Sequence, residues 1–136
     1  MKRKISIDKH RAESLKKMAS ISLKRLNSFN KMEYPSHTLD DYYDILHQLM
    51  DAVSLLNGIK FSGNSAHKEL IDWVSTSLEF SESWRNFLQK IRNYRNKISY
   101  EGFFVKPNFI KQNDKKILEI IKELDKKLEE KLNAIR

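Results

Sequence analysis

The chain has 136 residues with a net charge of +8, and 40% of it is hydrophobic. That length suits one domain able to bury a core without metals or disulfides. The absence of cysteine removes disulfide frameworks, thiol nucleophiles and cysteine metal sites together. No apolar run approaches the roughly 18 residues of a spanning helix, so no membrane partner is expected. The opening MKRKISIDKHRAESLKK is basic with no apolar segment behind it, unlike a secretory signal, and the cytosol is the expected compartment.

Charge is unevenly placed. Residues 1–36 hold ten Lys and Arg against three acids, whereas residues 37–81 hold seven acids against two cations. Residues 82–110 are basic again, with six cations against two acids. A basic balance favours polyanions through long-range attraction and says nothing about fold.

Three glycines and two prolines, set among abundant Leu, Lys and Glu, predict an all-α chain: an up-and-down bundle of four to five helices in a single domain, 1–136. The first helix is expected over residues 8–27, with Leu15, Met18, Ala19, Ser22, Leu26 and Phe29 on one face. Residues 30–36, containing Pro35, read as a loop. Thr38 with Asp41 resembles a capping box, and places the start of a second helix there. Its stripe of Leu39, Tyr42, Tyr43, Leu46, Leu49, Met50, Val53 and Leu56 runs until Asn57-Gly58 stops it.

Residues 58–65 read as a loop ending in Asn64 or Ser65 as the cap of a third helix, which carries Leu70, Ile71, Trp73, Val74 and Leu78. A fourth helix after Ser81 has Trp84, Phe87, Leu88, Ile91, Tyr94 and Ile98 at core spacing, with Gly102 as its stop. The last helix follows Pro107. Its stripe, Ile117, Ile121, Leu124, Leu128, Leu132 and Ile135, could dock on the bundle or pair with another chain; docking is expected, because the repeat spans under three heptads.

Few residues suggest chemistry. Asp44-x-x-His47 puts two metal-capable side chains on one helical face, but di-metal bundles need such a pair twice, so a solvated face and no metal site are expected. His67, His10 and His37 read as surface histidines. No phosphate-cradling glycine loop occurs, and no cofactor is expected. The stretch RNYRNKISYEG, residues 92–102, is different: it crowds Arg92, Arg95, Asn96, Lys97, Tyr94 and Tyr100 into the end of the fourth helix. Arginine's fixed donors suit phosphate, and tyrosines can stack on bases. Equally, cations at a helix C-terminus simply answer its dipole.

The run Arg95-Asn96-Lys97-Ile98-Ser99-Tyr100 resembles the signature of HEPN domains, in which Arg is followed by a polar residue, three more residues and His. The stretch from Leu55-Leu56-Asn57-Gly58 to Ser65-Ala66-His67-Lys68-Glu69 is similar to the inter-helix region of short archaeal members, and the resemblance covers residues 38–104. It implies a homodimer whose motifs face each other across a cleft. It also implies one of two roles: metal-independent ribonuclease, or RNA-binding or partner module beside a minimal nucleotidyltransferase in a toxin–antitoxin pair.

In the family, His and Arg handle protons and charge as a ribose 2′-hydroxyl attacks the adjacent phosphate. Tyr100 stands where that His is expected, and an ordinary tyrosine, with a pKa near ~10, is a poor base at neutral pH. The catalytic candidates are therefore Arg95 and Tyr100. The binding candidates for RNA or a partner are Arg92, Arg95, Asn96, Lys97 and Tyr100, and binding without efficient cleavage is the leading expectation. An active ribonuclease toxin and a helical interaction module are the alternatives. Gly102 occupies the position of the tyrosine that partner nucleotidyltransferases modify in some members.

Overall fold

A computed structural model describes residues 1–135. Five helices form the body: α1 (Lys9–Asn27), α2 (Pro35–Leu56), α3 (Ala66–Ser77), α4 (Glu82–Glu101) and α5 (Pro107–Ile135). Two three-residue strands, β1 (Lys2–Lys4) and β2 (Ile59–Phe61), pair antiparallel with Lys2 opposite Phe61 and Lys4 opposite Ile59.

α2 is the axis of the bundle, and α1, α3, α4 and α5 all pack on it. Its sequence requires this, since Leu39, Tyr42, Tyr43, Ile45, Leu46, Leu49, Met50, Ala52 and Val53 are buried round most of the helix circumference. A helix apolar on so many sides is stable only when surrounded. α2 also starts earlier than a Thr38 cap would allow. Pro35 takes the first turn, where its missing N–H costs nothing. Thr38 therefore lies inside the helix, buried, with Oγ1 donating to the Lys31 carbonyl at 2.7 Å.

α1 buries Ala12, Ala19 and Leu26, seven residues apart, with Leu15 and Leu23 packed beside them. Met18 and Phe29, expected inside, are exposed. The seam runs on a seven-residue repeat through small alanines, which lets α1 approach α2 closely, and Phe29 lies beyond the end of the helix. α5 docks in cis. Ile117, Ile120, Ile121, Leu124, Leu128 and Leu132 are buried, Lys16 of α1 reaches Asp125 and Glu129 at 3.2 Å each, and Ile135 is exposed. Its apolar stripe is consumed within the chain.

The strands were not foreseen, because three residues are too few to show an alternating pattern. Gly58 explains how the N-terminal segment gets in. Its φ of +66° ends α2, and a Cβ there would lie 2.7 Å from the Ile5 carbonyl oxygen. The close approach is used, as Ile5 N–H donates to the Gly58 carbonyl at 2.8 Å.

α4, which carries the RNYRNKISYEG stretch, is defined at both ends as its sequence predicts. The Ser81 hydroxyl accepts from the Trp84 N–H at 3.2 Å, and Gly102 closes the helix in the left-handed region at φ +64°. α3 and α4 are tied side by side by Asp72, which accepts from Arg85 at 2.9 Å and from Gln89 at 3.0 Å.

Candidate functional site

The RNKISY motif does not form one surface. A separation of five residues on a helix of 3.6 residues per turn leaves side chains about 140° apart, so Arg95 and Tyr100 cannot face the same way. Between them lies the edge that Tyr94 and Ile98 pack against the core. The result is two flanks with different chemistry.

On the inner flank Arg95 turns toward α2. Its Nε donates to Asp40 Oδ1 at 3.1 Å, its Nη2 lies 3.6 Å from Asp44 Oδ1, and its guanidinium carbon sits 5.5 Å from the centre of the Tyr43 ring. The side chain is 28% exposed, enough to meet solvent but clamped on three sides. Arg92, one turn earlier, is held through Nε to Gln89 Oε1 at 2.8 Å.

Beneath these arginines lies a group that the sequence leaves scattered. The rings of His47 on α2 and His67 on α3 meet at a tilt of 32° with centres 4.2 Å apart, and the Tyr43 hydroxyl and His67 Nδ1 are hydrogen-bonded at 3.1 Å. The two histidines are half-buried, and His67 is no free surface residue. Burial, and then the charge of His67, push His47 down to about 4; burial and the nearby Arg95 and Arg92 lower His67 as well. Burial holds the Tyr43 phenol at about 12 despite the two arginines. At neutral pH the inner flank thus offers two uncharged imidazoles and a neutral phenol beside a paired guanidinium.

The Asp44-x-x-His47 pair is divided between these roles. Asp44 answers Arg95 and His47 answers His67, and among the described residues no three His, Asp or Glu side chains cluster as metal ligands. Burial and the neighbouring Asp40 raise Asp44, with Arg95 partly offsetting them. A hint of the pairing existed in the sequence, since Tyr43, Asp44 and His47 lie within one turn. Nothing there says that His67, twenty residues on, returns to the same place.

The outer flank is open. Asn86, Lys90, Asn93, Asn96, Lys97 and Tyr100 line a shallow depression of about 650 Å³ along α4. Tyr100 is 85% exposed. Lys97 and Lys90 rest over the Tyr94 ring at 5.9 and 5.8 Å, which holds both ammonium groups at the rim. Glu101 is the single acid in this lining. Of the five candidate binding residues, Asn96, Lys97 and Tyr100 come together here, while Arg92 and Arg95 do not.

Compared with protein-family models, with curated proteins and with solved structures, the chain matches none.

Proposed function

We propose that this is a HEPN-like protein that binds RNA through the outer flank of α4. Asn96, Lys97 and Tyr100 are the contacts, and two copies present their motifs to one another. The observation that carries the reading is Tyr100, which stands 85% exposed among amides and two lysines. A largely solvated aromatic ring beside cations is what single-stranded nucleic acid uses as a stacking platform, and asparagine amides can pair with base edges or phosphate oxygens. A nucleotidyltransferase partner would meet the same face. Arg95, paired with two aspartates, serves here to fix α4 on α2 and to set the angle of that face.

Fluorescence anisotropy with a single-stranded oligoribonucleotide, read against salt, tests the proposal. Binding that weakens with salt and is lost in Tyr100→Ala is the expected result. No binding at low salt, or an unchanged affinity in that variant, would leave a protein-interaction module. Light scattering tests the dimer.

A second reading, a metal-independent ribonuclease, is favoured by one observation: two neutral imidazoles lie beside Arg95, although the motif itself lacks histidine. An imidazole would take the proton of a 2′-hydroxyl as that oxygen bonds to phosphorus. The 5′-oxygen would leave with a proton, giving a cyclic phosphate and a 5′-hydroxyl end. Cleavage that persists in EDTA and disappears in His67→Gln would favour this reading over simple binding.

A further inference from the structure

On the far side of the His47–His67 pair, away from the outer flank of α4, lies a second and more enclosed cleft. Its volume is about 170 Å³, and four elements wall it. α1 supplies Arg11, α2 supplies His47 and Asp51, β2 supplies Lys60, and α3 supplies His67 over a floor that includes Leu55, Phe61 and Leu70. Neither Arg11 nor Lys60 takes part in any salt bridge among the described residues. Their presence at one cleft follows from the β1–β2 pairing, which seats β2 against α2 and α3.

We infer that this cleft is a binding site for a phosphate monoester, held by Arg11 and Lys60 with His67 and His47 as further hydrogen-bonding partners. The chemistry of the lining points to an oxyanion. Two cations and two imidazoles surround one space from four different elements, and a tetrahedral anion can use donors from several directions where a planar carboxylate cannot. Asp51 is the one opposing charge. It lies one turn beyond His47 on α2.

Size narrows the class further. At about 30 Å³ per water, 170 Å³ holds roughly five or six water molecules, room for a phosphate group but short of the ~300 Å³ at which pockets for larger ligands begin. The group that enters is therefore terminal, with whatever it is attached to remaining outside. Two sources share this chemistry: inorganic phosphate, and the 5′-phosphate end of an oligonucleotide.

The site stands apart from the RNA-binding reading and can fail or survive without it. The test follows the imidazole resonances of His47 and His67 by NMR as inorganic phosphate is added at millimolar concentrations and matched ionic strength. A saturable shift is expected, weakened about tenfold in Lys60→Gln and in Arg11→Gln, since each removes one charge-assisted bond. Both side chains are exposed, so the variants keep the fold. In a second arm, oligoribonucleotides with a 5′-phosphate and a 5′-hydroxyl are compared. Preference for the phosphorylated end assigns the site to RNA termini, and equal affinity alongside a saturable phosphate response assigns it to small phosphates. A linear, non-saturating response, or one that neither substitution alters, overturns the proposal. Tyr100→Ala leaves the phosphate response intact, so loss of RNA binding in that variant bears on the α4 face alone.

Discussion

The two flanks of α4 are built from the same eleven-residue stretch and have opposite characters. On the inner flank Arg95 and its neighbours are drawn into contacts within the chain: aspartates for the guanidinium, a phenol for the His67 imidazole, and the His47 ring set against that of His67. On the outer flank Tyr100 and a row of amides face solvent with no such pairing. A satisfied polar cluster spends its interactions on holding the fold, whereas exposed donors and a bare ring keep theirs for a ligand. Arginine within a motif is therefore not by itself a sign of binding; what matters is what it already touches.

The largest effect expected from this contrast is on stability. Arg95→Ala should cost about 2 kcal/mol in urea unfolding, between the small value of an exposed pair and the larger one of a fully buried pair, because the side chain is 28% exposed. Much of that loss comes from leaving Asp40 and Asp44 facing one another without their cation. An unchanged unfolding midpoint would mean that the inner flank is as loosely held as the outer one.

Acid should act on the same flank. His47 has a folded value of about 4 against 6.5 in the open chain, so the unfolded state binds the extra proton between those limits. Its contribution to stability is full above pH 6.5 and is lost as pH falls toward 4, and His67 acts in the same direction. The loss should be about 1 to 2 kcal/mol after allowance for solvent screening. Asp41 and Asp44, raised by burial, work with the opposite sign, but only as pH nears the carboxylate range, so the histidine effect is cleanest above about pH 5. Stability that does not fall over that interval, or that falls equally in His47→Gln, would separate the titration from this pair.

The contrast also shows what a sequence carries. Helix number, the stop at Gly58, the start after Ser81 and the stop at Gly102 were legible because each depends on neighbours a few residues away. Thr38 misled because proline at a first turn outranks a capping box three residues on. The motif was legible as a helix end rich in cations, and its division into two flanks follows from the helical twist between Arg95 and Tyr100. His67 could not be read at all, since its meeting with His47 depends on how α3 returns across α2, a long-range property without local signature.

On the outer flank the predictions turn from stability to affinity. Tyr100→Ala should weaken single-stranded RNA binding about tenfold or more, the value of one lost stacking contact, while changing stability by less than about 0.5 kcal/mol, because the ring touches little of its own chain. The reverse result, lost stability with unchanged affinity, would exchange the roles of the two flanks.

The smallest effect is also the one that discriminates most sharply. Lys97 lies at the rim of the outer depression with no salt-bridge partner among the described residues, its ammonium 5.9 Å from the Tyr94 ring and 5.8 Å from the Phe103 ring. An aromatic platform orients a cation without neutralising it, so Lys97 can still displace a counterion from a phosphate. Lys97→Gln should accordingly lower the slope of log affinity on log salt by about 0.7, the value for one phosphate contact on a single strand. Arg95→Gln removes the same formal charge, but that charge already serves Asp40 and Asp44, so its slope should stay near that of the unmodified protein even if the affinity drifts. Equal slopes for the two variants would show that an ion pair within the chain and an open cation present the same charge to RNA, and the division of α4 into a holding flank and a binding flank would have to be abandoned.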